Sequence, residues 1–286
     1  LPVRIPVLSW LLNKYLARLP FFNSLALNRF VLARPVFHQQ PTGWETRYST
    51  SVIIPARNEA GNIAQAVKRM PKFGRHVEII FVEGHSHDQT WKAILQTQRS
   101  YAGQWNIKAA RQEGKGKGDA VRKGFDMAEG DILMILDADL TVPPEDLPKF
   151  YKAIATGKAE FVNGSRLIYP MEKNAMRPLN TLGNKFFSRA FSWLLEQPIK
   201  DTLCGTKVMF RADYQKLAKN RDFFGEFDPF GDYDLIFGAY KLNLKIIDLP
   251  VRYRDRTYGS TNISRFRHGF LLFRMVAFAL GKVKFW

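Results

Sequence analysis

The sequence predicts an α/β fold: a mostly parallel central sheet with helices on both faces and amphipathic helical extensions at either end. Three observations predict it. Between residues 51 and 163, apolar runs of strand length alternate with amphipathic stretches of helix length, the pattern of strands joined by crossover helices. Several runs end in polar, acid-containing segments, and ligands of parallel sheets collect at the carboxyl ends of strands. The chain has 286 residues, 46% of them hydrophobic, enough to fill a core on both faces of such a sheet.

The elements follow in order. Residues 1–45 read as a helical extension: Leu8, Leu11, Leu12, Tyr15, Leu16 and Leu19 recur at helical spacing, and Pro20 stops the pattern. Strands are expected at 51–55, 77–82, 106–110, 132–136 and 161–163. Helices are expected between them at 59–70, 91–98, 119–128 and 145–155. Beyond Asn174 the pattern loosens: a long amphipathic helix at 179–195, a strand at 206–210, a helix at 233–241, a strand at 244–251 and an apolar helix at 266–280. The expected division is an extension over 1–45, interfacial or packed on the main domain, a catalytic domain over 46–264 and a C-terminal amphipathic helix over 265–286.

Charge narrows the partners. With 43 basic and 26 acidic side chains the net charge is +17, which calls for an anionic partner. The first 44 residues hold five basic side chains and no acid. From Arg252 to the end, eight basic residues face the single acid Asp255. Basic, aromatic-rich ends of this kind suit an anionic membrane surface. Nucleic acid is not expected, because acids gather in the middle of the chain and would repel a polyanion. The one cysteine, Cys204, excludes an internal disulfide and a cysteine-based zinc cage, and is expected to be a small buried residue. No apolar run reaches the roughly 18–20 residues of a membrane span, and Leu1–Leu12 lacks a leader's cleavage site. Leu1 in place of Met is the expectation for part of a longer polypeptide with an upstream domain.

The most informative stretch is Asp-Ile-Leu-Met-Ile-Leu-Asp-Ala-Asp (131–139). It delivers Asp137 and Asp139 to the end of a buried strand, where alternation along extended chain would point both the same way. Two carboxylates so placed suit Mg²⁺ or Mn²⁺, since a hard cation takes oxygen ligands and Mg²⁺ keeps positions for substrate phosphates. Gly114-Lys115-Gly116-Lys117-Gly118 is a short basic loop whose backbone and lysines can approach phosphates closely. It is not a G-x-x-x-x-G-K-[ST] loop, and no G-x-G-x-x-G follows the first strand. His85 and His87 flank a polar turn and are not assigned to a metal.

Several motifs then coincide. Ser-Val-Ile-Ile-Pro-Ala-Arg-Asn-Glu-Ala-Gly-Asn-Ile (51–63), Phe-Val-Glu-Gly-His-Ser-His-Asp-Gln-Thr (81–90), Lys-Gly-Lys-Gly-Asp-Ala-Val-Arg-Lys-Gly (115–124) and Asp-Ala-Asp (137–139) resemble, in order and spacing, those of family 2 glycosyltransferases with the GT-A fold. Asp201-Thr-Leu-Cys-Gly-Thr-Lys207 and Arg256-Thr-Tyr-Gly-Ser-Thr-Asn262 are most similar to the polyprenyl-phosphate sugar synthase branch. The resemblance spans roughly residues 50–270.

The resemblance implies roles. Pro55, Ala56, Arg57 and Glu59 line the nucleotide; Glu83 contacts base or ribose where the family usually has Asp. Lys117 and Asp119 serve the phosphate loop. Asp137 and Asp139 hold the metal, with Ala138 beside the ribose, and Arg256 reaches a donor or acceptor phosphate. Asp232 and Asp234 are candidate bases, and Asp201 belongs to the catalytic set through its motif. Glu83-Gly84 departs from the family's usual Asp-Asp, so the base that is read stays open. Asn262-Ile-Ser-Arg265-Phe266 faintly echoes a motif of processive polysaccharide synthases, whose several membrane spans this chain lacks.

The implied reaction is inverting sugar transfer from a nucleotide-diphosphate sugar to polyprenyl phosphate or another lipid-linked acceptor, by a peripheral enzyme on the cytoplasmic face of a membrane. The alternatives are transfer to a glycan or protein hydroxyl, and a non-catalytic basic module that binds membrane or nucleic acid.

Overall fold

The computed structural model describes residues 5–24, 31–35, 41–167, 178–220, 231, 233–254, 256, 258 and 265–285. Among the described residues seven strands form one sheet: β1 (Thr50–Ala56), β2 (Val77–Glu83), β3 (Asn106–Arg111), β4 (Ile132–Ile135), β5 (Phe161–Ser165), β6 (Lys207–Phe210) and β7 (Ile246–Pro250), in the order β3-β2-β1-β4-β6-β5-β7. All pairings are parallel except those of β6, which runs against both neighbours.

The central strands are apolar on both faces because both are covered. Alternate residues go to opposite cores. Val52, Ile54, Ile79, Phe81 and Met134 pack on α3 (Ile63–Lys68), α4 (Thr90–Ser100) and α6 (Leu147–Ala155). Ile53, Ile80, Val82, Leu133 and Ile135 belong to the core that holds α5 (Lys117–Asp126), α7 (Pro178–Leu195), α8 (Arg211–Lys219), α9 (Tyr233–Lys241) and α10 (Arg265–Ala279). A one-residue slip of β1 would exchange these faces, so register is tightly specified.

Two features of the topology position the site. The chain leaves β1 toward β2 on one side, while β4 lies on the other, so the C-terminal ends of β1 and β4 flank a switch point, where open α/β sheets bind ligands. Because β6 is antiparallel, its first residue, Lys207, lies at the same edge as the last residues of β4 and β5.

Every expected strand is present within a few residues. The expected helix at 59–70 shortens to 63–68, because Glu59–Asn62 form a turn with Asn62 N–H donating to Glu59 O at 2.9 Å. Helix α8 escapes the periodicity argument, since its core-facing side chains are only Tyr214 and Leu217. Helix α1 (Pro6–Lys14) starts on Pro6, as expected of a proline at a helix's first turn, and buries no residue. Among the described residues no helix is long and apolar enough to cross a membrane.

Candidate active site

Three loops after parallel strands meet at the switch point. Asn58, with φ +58°, turns the chain out of β1. Its N–H donates to Ser86 Oγ at 3.0 Å, and its Oδ1 accepts from His87 N–H at 2.8 Å. Gly84 N–H donates to Ala56 O at 2.9 Å, so the β1 and β2 loops form one rigid lip. Asp88 completes it by accepting from Ala60 N–H at 3.2 Å and Thr90 N–H at 3.0 Å.

The predicted nucleotide residues divide between lining and support. Arg57 is exposed and Pro55 half-buried, while Ala56 is enclosed. Glu83 is buried; its carboxylate accepts from Ser86 N–H at 2.5 Å and lies 3.7 Å from Arg111 Nε, so it holds the loop that follows it. Asp119 Oδ2 accepts from Gly114 N–H at 2.9 Å and closes the basic loop. His85 Nε2 is 2.9 Å from Gly114 O, tying that loop to the β2 end. Lys117 opens α5 and is only half-buried.

The acidic pair is not arranged by strand alternation. β4 ends at Ile135, and Asp137–Leu140 form a turn, with Leu140 at φ +54° and its N–H donating to Asp137 O at 3.2 Å. Ala138, expected beside the ribose, is instead 3% exposed within the core, because the turn points it inward. Each aspartate meets a cation. Asp137 Oδ1 lies 2.6 Å from Lys117 Nζ, and Asp139 Oδ2 accepts from Arg256 Nη2 at 2.6 Å. Asp139 Oδ1 accepts from Thr141 N–H and Oγ1, which fixes its rotamer. Burial alone would raise the Asp137 carboxyl. Lys117, with Lys207 and Arg166 behind it, holds it below the usual carboxylate range.

Gly205 explains how Lys117 and Asp137 approach the β6 end. A Cβ there would lie 2.2 Å from both Asp137 Oδ2 and Lys117 Nζ, so only glycine leaves the space these two groups use. Partly buried carboxylates beside a side-chain-free concavity fit a divalent cation that keeps positions for phosphate oxygens. Among the described residues no three His, Cys, Asp or Glu side chains converge as a closed metal cage, and the His85/His87 pair is not one.

Arg256 also lies 3.3 Å from Glu59 Oε1, bridging it to Asp139. Two residues on, the Tyr258 ring lies against Gly61 and its hydroxyl reaches Asp88 Oδ2 at 3.3 Å, so this segment folds over the β1 lip. Burial pushes the Glu59 carboxyl up to about 7, with Asp139 and Asp137 adding to the rise against Arg256 and Asn62. Between about 4.5 and 7 the folded protein therefore holds a proton that the unfolded chain has released. Stability is fullest below that window and falls as pH rises through it. Glu59→Gln is expected to flatten this slope in urea unfolding at pH 5 and pH 8; an unchanged slope would assign it to another group.

Asp201, expected in the catalytic set, is fully buried. Arg166 Nε and Nη2 donate to its two oxygens at 2.7 and 2.8 Å, and the N–H groups of Arg166 and Leu203 add 3.0 and 3.1 Å bonds. Burial opposes both charges, but each holds the other ionised: the Asp201 carboxyl lies below its usual range and the Arg166 guanidinium well above. This geometry makes Asp201 a positioning residue. It anchors the 201–207 loop that carries Gly205. Arg166 was missed in the sequence; a basic residue directly after an apolar strand, in Gly164-Ser165-Arg166, was the available signal. Lys207 closes the 201–207 motif, and its position in the sequence shows no role for it. It is 1% exposed, donates to Cys204 O and adds positive potential at Asp137. Cys204 is buried, and that burial pushes its thiol up to about 11.

Of the candidate bases, Asp232 lies outside the described residues. Asp234 stands in the first turn of α9, 7% exposed and 3.8 Å from Arg122 Nη1 on α5. Gly231, at φ +71°, passes so close to Gly118 that a Cβ would lie 2.4 Å from its Cα, which sets the start of α9 against the basic loop. The Asn262–Phe266 echo lies mostly outside the described residues.

A parallel sheet with one reversed strand, a metal-suited acidic turn at the switch point and a basic loop over it define the GT-A class of nucleotide-diphosphate-sugar transferases. The family profile of Glycosyl transferase family 2 matches residues 51–218, more than half of the chain, and the protein belongs to that family. Glycosyltransferase AglJ of Haloferax volcanii is 28% identical over 224 residues, 78% of this chain and 69% of that protein. Dolichol-phosphate mannosyltransferase of Pyrococcus furiosus is 36% identical over 121 residues, 41% of this chain; the match spans only 33% of that relative's length. Among solved structures, glucosyl-3-phosphoglycerate synthase of Mycobacterium tuberculosis, with Mn²⁺, UDP and glucosyl-3-phosphoglycerate, superposes with a TM-score of 0.59 at 18% identity, covering 82% of this chain and 80% of that one. That likeness confirms the fold.

Proposed function

We propose that the protein transfers a sugar from a nucleotide-diphosphate donor to polyprenyl phosphate or another lipid-linked acceptor, with inversion, as a peripheral enzyme on the cytoplasmic face of a membrane. The observation that carries this reading is the pairing of Asp137 with Lys117 and Asp139 with Arg256 around the space left by Gly205.

Asp137 and Asp139 would hold Mg²⁺ or Mn²⁺, which supplies Lewis-acid neutralisation of the leaving diphosphate. Lys117 and the N-terminal turn of α5 face the same charge and orient it. The β1 and β2 lips flank the nucleoside. Arg256 would pair with a donor or acceptor phosphate. A phosphomonoester is largely ionised at neutral pH, with its second pKa around 6, and attacks without a strong base. The described candidate bases agree with that economy: Asp201 is enclosed by Arg166, and Asp234 is nearly buried beside Arg122. Relatives named for dolichol-phosphate and undecaprenyl-phosphate substrates point to the same acceptor chemistry.

The test is thermal stabilisation across nucleoside diphosphates and nucleotide sugars with Mn²⁺, followed by transfer to polyprenyl phosphate. One base is expected to stabilise the protein by about 2.7 kcal/mol at a hundredfold excess over its Kd, and only with metal. Absence of any metal-dependent stabilisation would reject the donor site. Turnover of sugar hydroxyls but not lipid phosphates would reject the acceptor.

A further inference from the structure

The two ends of the chain meet. Arg18 Nη1 donates to Lys284 O, and the Tyr15 ring packs on Phe285 with centroids 5.5 Å apart. Lys284 in turn pairs with Glu196 at 2.5 Å beside Trp193, which fixes this junction to the catalytic domain just after α7. The helices so joined carry large apolar side chains that stay more than half exposed, even where Phe273 touches Phe186 and Phe187. On α1, Val7 is 72% and Trp10 53% exposed; on α10, Phe270 is 69% and Phe273 55% exposed. On α10 these belong to a stripe, Phe270–Phe273–Arg274–Ala277–Gly281, opposite the buried Leu272, Met275 and Ala279. Large exposed apolar side chains on helices joined end to end in this way mark an interaction site.

Charge decides the occupant. No acid occurs before Glu45 or after Asp255, while Lys14, Arg18, Arg274 and Lys282 lie on the exposed helices. A second copy joined through the same patch would set these cations against their own equivalents, with no acid of either end to meet them. An anionic bilayer offers an apolar layer to the aromatic side chains and phosphate groups to a basic surface. Trp10 and Tyr15, apolar bodies with polar tips, suit the headgroup boundary.

We infer that α1 and α10 together form one docking face for an anionic lipid surface. The face deepens the reading above: α10 begins nine residues after Arg256, which bonds Asp139, so docking holds the mouth of the site near the headgroup layer. Vesicle binding needs neither donor nor acceptor, so this inference and the transfer reaction succeed or fail separately.

The test is sedimentation of the full chain with phosphatidylcholine vesicles and with vesicles containing 30% phosphatidylglycerol. Binding is expected only to the anionic vesicles and to weaken with salt. Trp10→Ser/Phe270→Ser is expected to lower the partition constant at least tenfold. Lys14→Glu, which leaves the apolar face intact, is expected to lower it at least fivefold on anionic vesicles alone. Both variants should keep the wild-type melting temperature and nucleotide response. Equal binding to neutral vesicles, or undiminished binding by the two variants, would overturn the inference. So would a wild-type dimer in sedimentation velocity that these substitutions dissociate, since a second copy would then be the occupant.

Discussion

Asp139→Asn is expected to cut sugar transfer by about 100-fold or more while leaving the unfolding temperature within a few degrees of wild type. The magnitude follows from losing a ligand of the cation that would neutralise the developing anion, an effect worth several kcal/mol. Stability is spared because the side chain lies on a turn at the open edge of the sheet. Its anchoring bonds from Thr141 can still be accepted by an amide oxygen. Arg256 loses one partner but keeps Glu59 at 3.3 Å. Asp137→Asn should match the loss of turnover and destabilise more, since Lys117 faces Asp137 at 2.6 Å and would be left beside Lys207 and Arg166 with less compensation. The checks are initial rates against Mn²⁺ concentration and calorimetric melting of each variant. Wild-type turnover in either variant would remove the metal assignment.

Arg166→Met is expected to act in the opposite sense, on stability first. It strands the buried Asp201 carboxylate without its bidentate partner, a change that typically costs about 3–5 kcal/mol. That is a large fraction of a typical total of about 5–15 kcal/mol. Asp201→Leu strands Arg166 and should cost a similar amount. The double variant should recover much of the loss, because removing both charges also removes both desolvation penalties. Transfer should fall in the singles only as far as the 201–207 loop loses its anchor, and return in part in the double. If Asp201→Leu kept its melting temperature but lost all activity, Asp201 would be a group of the reaction itself and the positioning role would be wrong.

Much of the architecture was legible because its determinants are local. Val52–Ile54 and Ile79–Val82 read as buried parallel strands from continuous apolar runs, and both faces are covered. The acid at each strand end was equally visible. Helix α8 was not, since two core side chains in nine residues leave too weak a period. For Asp137 and Asp139 the sequence shows residue type but not arrangement. Their residue types suit a hard cation, but a turn centred on Ala138, not strand alternation, arranges them. The carboxylates of Asp119 and Glu83, expected at the nucleotide, are spent on backbone N–H groups nearby.

Residue order determined the family, the strands, the basic loop and the acidic pair, because each depends on neighbours a few positions away. Which charges meet was decided by tertiary structure alone. Arg256 reaches Asp139 across 117 residues and Arg18 reaches Lys284 across 266, while Arg166 closes on Asp201 across 35. Such pairings come from the reversed strand β6 and from the return of both chain ends to one side of the sheet. Side-chain electrostatics acts through space, and no spacing rule along the chain encodes the distance between groups that only the packed sheet brings together.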